Sequence, residues 1–200
     1  ALAYNDLALD WKDKLEHDKA IELHNKALKI IYEVNGKQHP LTALCYFNIG
    51  AAFYWKKDFE KAIEFYQKSK SINLKCFGEK HIKLAKIYSN TGMVLDKQEK
   101  TEEAISHYDK ALEIFILNHG QKHHSVANTY NNLGSSYLEK KEYLKAIVNF
   151  KKALNIDIEI YGESHHSVGK IYYNLGLAFK KNKDYIKAIE YYQKSLDIKL

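Results

Sequence analysis

The chain has no arginine. Lysine supplies all 31 basic residues against 25 acidic ones, leaving a net charge of +6. Arginine is the side chain that makes forked contacts to phosphates and base edges, so its absence argues against nucleic acid as a partner. Cysteine is nearly absent as well. Cys45 and Cys76 stand alone, too few for a disulfide framework, which leads us to expect a reducing, intracellular and cytoplasmic setting. Pro40 is the one proline in 200 residues, and a chain so poor in helix breakers fits an all-helical reading. No apolar run reaches the eighteen or more residues of a membrane span. No charged-then-apolar leader with a small-residue cleavage site opens the sequence.

The motifs that carry common chemistries are missing too. The glycines fall singly, so no glycine-rich loop is available to cradle phosphate. Neither a G-x-S-x-G elbow nor an H-E-x-x-H pair occurs. Glu102 and Glu103 stand at the start of a predicted helix, where acids complement the macrodipole. We therefore expect no catalytic residue, cofactor or metal, and no enzyme.

What is present is a period. Gly36, Gly78, Gly120 and Gly162 are equally spaced, and Ala20, Ala62, Ala104, Ala146 and Ala188, each followed by isoleucine, keep the same step. So do Tyr4, Tyr46, Tyr88, Tyr130 and Tyr172. Asn48, Asn90, Asn132 and Asn174 share it too, with Gly50, Gly92, Gly134 and Gly176 two residues later. Self-similarity without a gap is the signature of a stacked repeat.

Each unit reads as two helices. The first, such as 41–57, gathers Ala43, Tyr46, Ile49, Gly50 and Phe53 on one stripe. A mid-helix glycine costs about 1 kcal/mol against alanine; its recurrence predicts close approach of the partner helix. The second, such as 59–76, carries Ala62, Ile63, Tyr66, Ser69 and Ile72 on its inner face. Short polar turns join the two. Linkers reading GKQHP, GEKH, GQKHH and GESHH join successive units, with glycine ending the long helix and the next helix expected two or three residues beyond the first histidine.

His39, His81, His123 and His165 share a linker column and should lie about one repeat apart. That spacing is far beyond the ~2 Å bonds of a shared metal, so a loop or helix-capping role is expected. His17, His24, His107 and His119 read as helix-surface residues or members of unrelated columns.

The stretches YFNIGAAFYWKKDFEKAIEFYQKSKSI and YNNLGSSYLEKKEYLKAIVNFKKALNI resemble tetratricopeptide repeats (TPR). The common period of that family is about 34 residues, against about 42 residues here. The longer form with G-x-x-H-P-like linkers is similar to the repeats of kinesin light chains. The resemblance implies an all-α fold, a right-handed α-α superhelix (a solenoid) of about five helical hairpins. It would span 1–200 as one array, with repeats near 1–40, 41–82, 83–124, 125–166 and 167–200. Two departures are plain: Leu74, Ile116 and Ile158 replace the proline usual near the end of the second helix, and only the first linker has His-Pro. Because the sequence starts and ends inside predicted helices, we expect it to be part of a longer protein.

The resemblance also implies a site. In the family, first helices line a concave groove, and its motif positions fall here on Asn48, Asn90, Asn132 and Asn174. An amide offers both a donor and an acceptor, so such a ladder could bond a peptide backbone whatever its sequence. Asp6 breaks the ladder in the first repeat. Other groove positions carry Leu44, Phe47, Tyr54 and Trp55, which suggest an apolar pocket. They also carry Lys86 and Lys97, then Asn128 and Asn131, then Lys170, Tyr173, Lys180 and Lys181, with Asp13, Asp96 and Glu139 opposing them. The expected partner is a protein or peptide, acidic with one apolar anchor, and the expected role is an interaction scaffold or adaptor. The alternatives are a ligand-sensing module of a larger signalling protein and an RNA-binding helical repeat.

Overall fold

Four glycines of one column end the long helices. Gly36, Gly78, Gly120 and Gly162 all hold φ between +78° and +82°, a left-handed backbone that residues with a Cβ avoid. A computed structural model describes residues 16–199; Tyr4, Asp6 and Asp13 lie outside them. The described residues form helices and no strands: α1 (His17–Asn35), α2 (Pro40–Trp55), α3 (Phe59–Phe77), α4 (Ile82–Lys97), α5 (Thr101–His119), α6 (His124–Glu139), α7 (Tyr143–Tyr161), α8 (His166–Lys181) and α9 (Tyr185–Lys199). The fold is an all-α helical repeat, and no described helix is long and apolar enough to cross a membrane.

The first helix of each hairpin starts directly after its histidine, not two or three residues later. The imidazole is the cap. Nδ1 of His39, His81, His123 and His165 accepts the backbone N–H two residues on, at 3.2, 3.3, 3.1 and 3.3 Å, as a serine or aspartate does elsewhere. The ring also stacks on the last side chain of the preceding helix. Phe77 lies 4.3 Å from His81, His119 4.0 Å from His123, and Tyr161 4.4 Å from His165, between ring centroids. His119 is therefore no stray surface histidine; it holds the place of Phe77 and Tyr161. Burial, then the neighbouring His119 and His124, lowers the pKa of His123, which favours the neutral ring that an accepting Nδ1 requires.

Within hairpins the tight turn places a non-glycine residue at positive φ: Lys57, Glu99, Lys141 and Lys183, between 61° and 66°. Each is followed by an N–H that reaches back to a helix carbonyl at 2.9–3.0 Å, Asp58 to Phe53 and Asp184 to Phe179 among them. This is the Schellman closure of a helix end.

The chain divides into two compact units at Lys100 and Thr101. In the first, α2 packs between α1 and α3, and α4 packs on α3. Ala20, Ala43, Ile49, Ala62, Tyr66, Leu84 and Val94 are buried there. Tyr46 and Phe53 sit against Phe65, with ring centroids 5.9 and 5.5 Å away. In the second, α5 packs on α6, α6 on α7, α7 on α8 and α8 on α9, around Phe150, Leu154, Val168, Leu175 and Phe179. Tyr172 and Phe179 meet Tyr191 at 5.9 and 5.3 Å, the same three columns as the aromatic group of the first unit.

The mid-helix glycines do face a close neighbour, and it is an aromatic ring. A Cβ on Gly50 would lie 2.8 Å from Tyr66, on Gly134 2.6 Å from Phe150, and on Gly176 2.6 Å from Tyr192. Burying such a ring contributes about 2–3 kcal/mol; the glycine makes the room for it.

Candidate functional site

In the first unit four helices converge on a pocket of about 280 Å³. Phe47, Asn48, Ala51, Ala52, Tyr54 and Trp55 come from α2, Ala20 and His24 from α1, Tyr66 from α3, and Asn90 and Met93 from α4. The helical period sets this grouping: 47, 48, 51, 54 and 55 recur every three or four residues along one face of α2. Asn48, Asn90, Phe47, Tyr54 and Trp55, predicted from sequence to face a ligand, thus line one cavity. Trp55 is half exposed at its rim. Asn90 Nδ2 donates to the Tyr66 hydroxyl at 3.4 Å, so that amide also ties α4 to α3.

On the other side of Phe47 lies a second pocket of about 200 Å³, walled by Leu41, Leu44 and Ile87 and reached by Lys83 and Lys86. Asn73 forms part of its lining. Its Nδ2 donates to the Ser69 carbonyl at 2.9 Å, while its buried Oδ1 has no partner among the described residues.

The second unit treats the same columns differently. Asn174 Nδ2 donates to Asn131 Oδ1 at 2.9 Å, bridging α8 and α6. Asn132 is half-buried beside it in sequence, and its carbonyl accepts from the Ser136 hydroxyl. Asn128 is exposed. Lys170 and Tyr173 border a separate hollow with His166 and Ile198, and Tyr173 rests against Tyr192 at 5.6 Å.

One residue of the pocket was not foreseen from sequence. His24 is not on a surface: it is 2% exposed. It stands one repeat before Tyr66, in the column continued by Tyr108, Phe150 and Tyr192. Comparing that column across all five repeats would have found it. Its Nδ1 is buried without a hydrogen-bond partner among the described residues, and burial pushes its pKa down to about 4. Burial likewise raises the pKa of Tyr54, with help from Asp96, and that of Tyr66. At neutral pH the titratable walls of the pocket are therefore uncharged. Among the described residues no three His, Cys, Asp or Glu side chains converge in a way that could hold a metal.

A tetratricopeptide repeat model matches residues 1–73, 48–116 and 125–200. Among solved structures, BtubC (BKLC) from P. vanneervenii is 28% identical with a TM-score of 0.87, over 96% of this chain and 77% of that one. A Podospora anserina structure described as a putative kinesin light chain with nearly identical TPR-like repeats is 16% identical, with a TM-score of 0.82 over 98% and 93%. The apo form of RapI is 22% identical, with a TM-score of 0.84 over 98% and 69%. No curated protein matches the sequence. Repeats of this kind generally mediate protein–protein interaction, on a fold that is typically a non-enzymatic scaffold. With the family model covering nearly the whole sequence in three matches and helical hairpins recurring at one fixed step, the chain belongs to the tetratricopeptide repeat family.

Proposed function

We propose that this protein is an interaction scaffold that holds a linear segment of a partner protein against its first helices, with α2 as the main contact. The observation that carries this reading is the pocket in which Asn48 and Asn90 accompany Phe47, Tyr54 and Trp55. Amides suit a peptide backbone, and a rigid aromatic rim suits an anchoring side chain. An acidic segment fits best, because Lys83 and Lys86 border the adjoining hollow of the same unit. Rim lysines of this sort act through attraction and orientation more than through buried contact.

The test is affinity capture from native extract with wild type and an Asn48→Ala/Asn90→Ala double variant of unchanged circular dichroism. Partners held by wild type should be lost from the variant. An identical set of partners on both would move recognition away from α2 and α4. Once a bound segment is in hand, Lys83→Glu with Lys86→Glu should weaken it more than threefold. A smaller change would remove the acidic preference.

A further inference from the structure

The joints between hairpins share one plan but differ in how many imidazoles they hold. At His39 and His81 the capping ring stands alone: Asn35 and Phe77 lie four residues before it, Pro40 and Ile82 directly after. At His165 the next residue, His166, adds a second ring 4.3 Å away between centroids. At His123 there are three. His119 lies 4.0 Å from the capping ring on one side and His124 4.1 Å on the other.

Histidine is the side chain whose charge changes between pH 8 and 5, and three causes hold the His123 ring to its neutral form. Its Nδ1 accepts the Ser125 N–H at 3.1 Å, and a proton on that nitrogen would set one donor against another. The ring is half-buried, which opposes charge. His119 of α5 and His124 of α6 lie so close that a positive charge on either repels one on His123. From α7 the joint meets Glu159, but that carboxylate is taken up by Lys122 of the linker. The charges that act on the ring are the two neighbouring imidazoles.

The three causes point the same way. A closed joint disfavours the proton on His123, whereas an opened one, with its rings apart in water, accepts it. The closed form is therefore at full strength above the free-imidazole value of 6.5 and weakens as pH falls below it. The loss for one such proton reaches at most about tenfold in the closing equilibrium for each pH unit.

We propose that the joint between α5 and α6 is an acid-responsive hinge. Protonation of the His119–His123–His124 stack withdraws the cap from α6 and frees its first turn from the end of α5, while the single-imidazole joint at His81 stays shut. The joint at His165, with two imidazoles, responds between these extremes. This inference concerns the seam between hairpins and does not use the peptide-holding reading.

The test is amide hydrogen exchange on the full chain, read by NMR in the presence of a chelator and corrected for the intrinsic pH dependence of exchange. The reporters are Leu84, Val126 and Val168, whose N–H groups each donate to the carbonyl of their own capping histidine at 2.9 Å. From pH 7.5 to 5.0, protection of Val126 should fall at least fivefold, that of Val168 by less, and that of Leu84 by no more than twofold. His119→Phe with His124→Ile gives this joint the residues that the chain already uses at Phe77 and Ile82. In that double variant the fall at Val126 should shrink to twofold or less, and the His123 ring, followed by its Cε1–H resonance, should titrate at higher pH than in wild type. The reverse exchange, Phe77→His with Ile82→His, should make Leu84 fall at least fivefold. The proposal is overturned if Val126 falls no more than Leu84 in wild type, if the first double variant keeps the wild-type fall, or if its His123 ring titrates as in wild type. Should a variant fail to fold, the wild-type comparison of Val126 with Leu84 decides alone.

Discussion

Helices α2 and α6 occupy equivalent places in hairpins of the two units, yet their outward columns share almost no chemistry. Where α2 has Leu44, Phe47, Ala51 and Trp55, α6 has Asn128, Asn131, Ser135 and Glu139. The sixteen residues of α2 include no charge at all, and Leu44 and Trp55 are left 42% and 50% exposed. Beneath α2 the pocket is edged by His24; beneath α6 the column is filled by Tyr108, 1% exposed. In the second unit the asparagines bond each other, Asn174 to Asn131. Apolar surface is left at the water interface on one repeat while polar groups pair between helices on its counterpart, which is the difference expected if the proposed contact surface lies on α2.

The largest expected effect comes from moving the first unit's feature into the second. Phe150→His places the short, polar ring under Gly134, where a fully buried phenyl now sits. Loss of packing and burial of an imidazole should cost about 3 kcal/mol, read as a lower urea midpoint. A midpoint equal to wild type would mean that the column tolerates histidine anywhere, and the comparison would lose its force.

Acid should act on the first unit as well. His24 has a pKa of about 4 in the folded chain against 6.5 for a free histidine, so between those values the unfolded chain binds the proton first. Stability from this site is therefore full above pH 6.5 and is lost as pH falls toward 4, by up to about 3 kcal/mol. Thermal unfolding of wild type and His24→Phe, compared at neutral pH and midway between those two values, should show a smaller acid-induced drop in the variant. Equal drops would show that His24 is not the group responsible.

The smallest effect belongs to the asparagine pair. Asn131→Ala removes the acceptor for Asn174 and should cost about 1 kcal/mol without touching the first unit's pocket. A urea midpoint equal to wild type would show that the Asn174–Asn131 bond adds nothing to the stack.

Much of the fold was legible because its causes are local and repeated. The linker glycines end helices through a backbone angle that few other residues accept, and the alanine and glycine columns mark crossings that recur unchanged. Where the reading failed, the cause was an interaction that one repeat alone does not display. The helix starts were set too late even though a capping role was among the expectations for the linker histidine, because the sequence does not show that its own Nδ1 accepts the N–H two residues on. His24 was left among residues of unrelated columns or helix surfaces, because a histidine among lysines carries no mark of the buried aromatic column to which it belongs. The asparagine column was legible as polar residues on the first helices. Which amides face a cavity and which bond a neighbouring helix depends on residues at 24, 66 and 131, outside that column.

The joint between hairpins has a consequence for how such a chain can change. Its closing parts are a glycine, an aromatic ring directly before it, and a histidine three residues on that caps and stacks. All are carried within a few residues of Gly78, Gly120 or Gly162. An excision or duplication of one whole repeat, cut just after a linker glycine, therefore rebuilds a complete joint from two half-joints. Whole repeats are in effect interchangeable cassettes, so a gene can lengthen or shorten its array by unequal crossing-over without inventing a new seam, while a departure such as the one at His24 travels intact with its cassette.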